Sequence, residues 1–216
     1  MTRAESAQPR LGLRERKKMR TRQAILDAAH ALFAERGYDN VTVAEIADAV
    51  NIAPKTVFVY FPSKEDLVFC DEDQMRERIL RRLRDRRPDE TPLEAMGALI
   101  RELMAESGSA VVEDMRRWRR MMGDSAVLHS RMRLLWERFE EALADQLAEE
   151  AGESRGAPAP RVAAAQLVSI FRLMASEDVL GYLGTHPTER QTAALNEWLE
   201  VAMRMVGGGI GDYLRR

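Results

Sequence analysis

The residues best placed to do chemistry lie in the stretch TVAEIADAVNIAPKTVFVYFPSK, residues 42–64. Here Lys55, Thr56, Phe58, Val59 and Tyr60 follow Pro54 on a segment too short to fold unaided. Val57 and Phe61 are the residues that anchor it, which leaves Lys55 and the aromatics nearer the surface. Exposed aromatics beside a lysine make a poor solvated face. They suit a face that enters the major groove of a nucleic acid. A second feature points to a polyanion. Arg14, Arg16, Lys17, Lys18, Arg20 and Arg22 stand against the single Glu15, in a chain whose formal net charge is −2. A basic arm on an acidic body suits a phosphate backbone or a minor groove.

Chemistry of other kinds finds no support. Cys70 is the one cysteine, so an intrachain disulfide is excluded, which fits a reducing compartment. His30, His129 and His186 are far apart and show no metal-ligand spacing. No GxSxG, Walker loop or GxGxxG occurs, so neither an enzyme, a cofactor nor a metal is expected. The N-terminus lacks the apolar core of a signal peptide, and no apolar run is long enough to span a bilayer. The expected location is the cytoplasm, with no membrane partner.

The elements that position these residues read as helices throughout, about nine, with no strand pattern. The fold class expected is therefore all-α. Residues 1–12 read as a disordered lead-in, 13–66 as a helix-turn-helix domain and 67–216 as a second helical domain. Ile25, Ala28, Ala29, Leu32 and Phe33 recur at helical spacing up to Gly37. Thr42 and Glu45 form a capping box that opens a short helix with inner face Val43, Ile46, Ala47 and Val50. Asn51-Ile52-Ala53 makes a tight turn. Pro54 starts the next helix, which stops before Pro62. Ser63 is expected to cap a fourth helix ending near Arg87. Further helices are expected from the Thr91/Glu94 box, up to Gly123, from Ser125 to Glu150, from Arg161 to Leu183, and from a Thr188/Gln191 box to a stop at Gly207-Gly208-Gly209.

On these residues the chain resembles the TetR family. The similarity runs from about residue 20 to residue 71. It rests on AILDAAHALFAERGYDNVTVAEIADAVNIAPKTVFVYFPSKEDLV: the first helix ending in Arg36-Gly37-Tyr38, the Thr42 cap, Ile46-Ala47, the pair Tyr60-Phe61, and Lys64-Glu65-Asp66-Leu67. The resemblance implies that Thr42 contacts a phosphate, that Pro54, Lys55 and Phe58 meet base edges or backbone, and that Tyr60 and Lys64 grip phosphates. Main-chain donors at Val43, Ala44 and Lys55 add to this. Phe58 stands where the family often has tyrosine, and Ala53 where it usually has a capping Ser or Thr. The second departure typically costs about 1 kcal/mol.

The resemblance also implies a C-terminal effector and dimerisation domain, with the last two helices pairing against a second subunit. It implies a repressor that binds a palindromic double-stranded operator as a homodimer. A small apolar or acyl-coenzyme-A-like effector would release it. The pocket candidates are Met104, Met115, Trp118, Met122, Leu135, Phe139, Phe171 and Met174. The same stripe is what a plain core looks like, and both readings stand at this point. Arg116-Arg117-Trp118-Arg119-Arg120 reads either as a phosphate receptor or as a salt-bridged helix face. A regulator controlled by a partner protein, with no small ligand, is the alternative.

Overall fold

The computed structural model describes residues 12–210. It divides into two compact units, one ending at Phe69 and one beginning at Cys70. All regular structure among the described residues is helical. The lead-in expected over residues 1–12 lies outside the described residues except for Gly12.

In the first unit α1 (Leu13–Arg36) is followed by α2 (Val43–Ala49) and α3 (Pro54–Tyr60). Ile25, Leu26, Ala29 and Phe33 give α1 one buried face, which packs against α2, and Ile46 and Ala47 of α2 and Val57 of α3 are buried in the same unit. The basic stretch is not an arm. It forms the first turns of α1, because Arg and Lys are good helix formers and nothing before Thr21 breaks the run. After α3 the Ser63 and Asp66 side chains bond each other's backbone N–H groups reciprocally, as expected, but they open only a 3-10 turn (Glu65–Leu67). Leu67, Val68 and Phe69 are buried, and the Leu67 carbonyl meets His30 Nε2 of α1 at 2.8 Å. The fourth helix therefore starts later than expected, at Glu72.

The second unit contains α4 (Glu72–Arg84), α5 (Pro92–Ser107), α6 (Val111–Met122), α7 (Ala126–Ala151), α8 (Pro158–Met174), α9 (Glu177–Gly184) and α10 (Thr188–Ile210). The Thr91/Glu94 capping box forms as read, with Pro92 at the first helical position. The single helix expected from Arg161 to Leu183 is two helices, parted at Ala175, with Ser176 accepting the Val179 N–H at the start of α9. The acids Glu177 and Asp178 after Ser176 are the first-turn signal that marks this start.

Gly207-Gly208-Gly209 does not end the last helix, which runs on to Ile210. A Cβ on Gly209 would stand 3.3 Å from Gln166 Oε1, and one on Gly207 would stand 3.4 Å from Leu93. These glycines serve close packing of α10 against α8 and α5. Thr188 and Gln191 make no capping box. The Gln191 amide is buried, donating to the His186 carbonyl and accepting from Arg116.

Candidate nucleic-acid interface

The first unit's helix-turn-helix is held by a small set of interactions. At the start of α2 the Thr42 N–H donates to Glu45 Oε2 at 2.7 Å, and the Glu45 N–H donates to the Thr42 hydroxyl at 3.2 Å. The hydroxyl in turn donates to the same carboxylate at 2.7 Å, and Arg36 closes the group at 2.8 Å. Thr42 is exposed, yet its one hydroxyl hydrogen is already given to Glu45, so it reaches a phosphate only by giving up that bond. The Thr42 N–H first, then its hydroxyl, then Arg36 lower the Glu45 carboxyl from 4.5 to about 2. The folded value is depressed, so the box contributes fully above the ordinary carboxylate value and is lost as pH falls through about 2. A carboxyl NMR titration checks this. Glu45 should titrate near 2, and both Thr42→Val and Arg36→Ala should raise it.

The turn between α2 and α3 places Asn51 at φ 54, a left-handed conformation that asparagine tolerates better than other non-glycine residues. The Ile52 N–H returns to the Ala47 carbonyl at 3.0 Å and closes the end of α2. The next helix, α3, has no side-chain cap at Ala53. It relies on Pro54 at its first turn and on the Val57 and Phe61 side chains, both almost fully buried. This leaves Pro54, Lys55, Phe58 and Val59 exposed, with Thr56 and Tyr60 half-buried. Val43 is half-buried and Ala44 exposed at the start of α2.

Two positions differ from expectation. The Lys64 ammonium turns inward. It donates to the Tyr38 carbonyl at 2.6 Å and lies 3.9 Å from the Tyr38 ring centroid. Partial burial lowers its pKa, and nearby carboxylates oppose that shift. Lys64 therefore braces the end of this unit rather than presenting a free charge. Its partner Tyr38 also donates to Glu65 at 2.9 Å, and burial first, then Glu65, pushes the Tyr38 phenol up. Arg22 likewise packs its guanidinium 5.0 Å over the Phe61 ring.

Arg14, Arg16, Lys17, Lys18 and Arg20 remain exposed on α1. Arg16, Lys17 and Arg20 line one side of a groove whose floor includes Val50 and Ile52 of the α2–α3 turn. These cations crowd the N-terminal end of a helix with only Glu15 against them, where the helix dipole disfavours positive charge. An anionic partner would relieve that repulsion.

In the second unit the pocket candidates do not form one group. Met104 and Phe139 are buried in the main hydrophobic cluster, with Met115, Phe171 and Met174 packed against it. The Phe139 ring lies 6.4 Å from both Trp136 and Phe171. Met122 is buried at the end of α6, and Trp118 and Leu135 are half-buried. The arginine run on α6 is a salt-bridged face. Arg117 pairs with Asp114, Arg119 with Glu177, and Arg120 with Glu113 at 2.7 Å, while Arg116 bonds Gln191 at 2.7 Å. A phosphate receptor is not supported, because these carboxylates already take up the charge. No helix among the described residues is long and apolar enough to cross a membrane.

The described residues thus carry a helix-turn-helix followed by a larger helical unit. Residues 25–69 match the family of bacterial regulatory proteins, tetR family. It is 35% identical over 136 residues to the HTH-type transcriptional regulator TcmR of Streptomyces glaucescens, covering 63% of this chain and 56% of that protein. It is 34% identical over 82 residues to the transcriptional repressor KstR of Rhodococcus jostii, covering 38% of each. The chain thus matches little more than half the length of these relatives at most. Among solved structures, NalD of Pseudomonas aeruginosa, the secondary repressor of the MexAB-OprM multidrug efflux pump, superposes with a TM-score of 0.55 at 21% identity, over 87% of this chain and 97% of that one. That likeness shows the fold. The relatives named are regulators, not enzymes.

Proposed function

We propose that this protein is a transcriptional repressor that binds a palindromic DNA operator as a homodimer, α3 of each subunit entering one major groove. The observation that carries this reading is the outer face of α3. Lys55, Phe58 and Val59 stand exposed on a seven-residue helix that Val57 and Phe61 hold from behind. The cations at the start of α1 supply the backbone contacts. The pair of helices that meets the second subunit is α8 with α10, α9 lying between them in sequence. A small apolar effector, bound among the packed side chains around Phe139, lowers operator affinity by favouring a state that binds DNA less well. The apolar cluster supports this effector, and the paired arginines of α6 speak against an acyl-coenzyme A.

Fluorescence anisotropy with duplex DNA from upstream of the protein's own gene, over a salt series, tests the proposal. Each phosphate neutralised adds about −0.9 to the slope of log K against log salt. Lys55→Ala should weaken binding by about fivefold to a hundredfold in each half-site, as expected for loss of roughly 1–3 kcal/mol of base contact there. A flat salt response, or no binding to that DNA or to a random duplex library, overturns the reading.

A further inference from the structure

We propose that this protein reads thymine methyl groups through Val59 and Phe58, next to a guanine read by Lys55, so that its half-site carries thymines beside a G·C pair. This rests on the operator-binding reading and names what that surface recognises.

Val59 is 73% exposed and Phe58 48% exposed, although neither side chain carries a polar atom and neither lies at a frayed chain end. Both sit on the last turn of α3, where the other aliphatic side chain, Val57, is buried. Along the helix, Lys55 and Val59 stand four residues apart and so share a face. Pro54 and Phe58 form a second such row beside them. Among these four exposed residues the one hydrogen-bonding side chain is Lys55.

The major groove presents donors, acceptors and one apolar group, the C5 methyl of thymine. Valine has nothing to offer a donor or acceptor. It is stiff at χ1, so a favourable contact demands little ordering. A base edge placed under Val59 is therefore best matched by thymine. A polar edge there would lose water without gaining a hydrogen bond. Phe58 extends the same preference to a neighbouring position. Lysine reads guanine O6 and N7. One helical turn is about 5.4 Å and one base step about 3.4 Å, so Lys55 and Val59 address positions roughly one to two base pairs apart.

The test uses the full-length protein and an operator selected from a random duplex library. Selected sites should be enriched in thymine beside a guanine within each half-site. Replacing those thymines by deoxyuridine removes the methyl and keeps every hydrogen-bonding group. Affinity should fall about fourfold per methyl, the equivalent of one buried CH₂, or about fifteenfold for one methyl in each of two half-sites. Val59→Ala should bind the thymine and uracil operators almost equally at the position under residue 59. Lys55→Ala should bind both more weakly and keep the ratio. An unchanged melting temperature for Val59→Ala keeps the comparison clean, since the residue is a surface one. Equal binding of the thymine and uracil operators by the unmodified protein overturns this inference and leaves the repressor reading standing. Failure to select any operator overturns both.

Discussion

Replacing Arg86 with alanine should cost the second unit about 3–5 kcal/mol, the usual result of breaking a buried ion pair from one side. The Arg86 side chain is fully buried. Its Nε donates to the Glu90 carbonyl at 2.9 Å, and its Nη1 donates to the Leu83 carbonyl and to Glu150 Oε2, both at 2.8 Å. Its Nη2 meets the other Glu150 oxygen, so the pair is bidentate. One guanidinium thus links the end of α4, the loop that follows and the end of α7. Glu90, which supplies one of those carbonyls, is held through its own carboxylate by Arg82 at 2.7 Å. Alanine would strand two carbonyls and a carboxylate. Lysine should not rescue, because one ammonium cannot reproduce the planar fork. Urea unfolding of the full chain measures the loss. The double variant Arg86→Met/Glu150→Leu should recover most of it, since the buried carboxylate then goes with its partner. A single variant within 1 kcal/mol of the original protein would show that the network contributes little.

Arg86 also marks where sequence reading stops. As a cation near a helix end it looks like a residue placed for the dipole in solvent, and only its tertiary partner Glu150, far along the chain, makes it a core residue. What was legible is local. Thr42 with Glu45, and Thr91 with Glu94, are boxes whose bonds close within three residues. Pro54 and Gly37 bound their helices for reasons held in their own backbones. Several misread elements turn on distant partners, whereas the break before α9 carried a local signal in Ser176, Glu177 and Asp178. Gly207 and Gly209 look like a stop until Leu93 and Gln166 are seen packed against them. Gln191 looks like a capping residue until Arg116 takes its oxygen. At the interface the same division holds. The exposed row of Lys55, Phe58 and Val59 follows from the short helix and its two anchors. The inward turn of Lys64 depends on Tyr38, which lies 26 positions away.

The proposed homodimer should come apart, and its operator binding weaken by about a hundredfold or more, when the outer faces of α8 and α10 are charged, because linking two half-site contacts is worth roughly 10²–10⁴ in avidity. The faces are defined by what remains uncovered in one subunit. On α8 the buried side holds Ala163, Ala164, Leu167 and Ile170, while Val162 and Leu173 stand about half exposed on another. Half-buried Gln166 and Ser169 fall between them at helical spacing. On α10, Ala194, Leu195 and Leu199 are buried, while Val201 is exposed and Met205 is 77% exposed. The two helices touch, Gln166 lying against Gly209, so their uncovered rows form neighbouring strips of one surface. Leu173→Glu with Met205→Glu changes only side chains that already face outward, so the fold of a lone subunit should survive. In a symmetric pair four glutamates, two from each subunit, would be buried without a designed partner. Sedimentation equilibrium should then show the mass falling from twice that of the chain to that of the chain, with the helical circular dichroism unchanged. Half-site affinity should persist, still sensitive to salt and to Lys55→Ala, since α3 and the start of α1 belong to the other unit. If the double variant stays dimeric, the partner subunit sits elsewhere. If it becomes monomeric yet binds the full operator as tightly as before, pairing through these helices is not what sets the affinity for DNA.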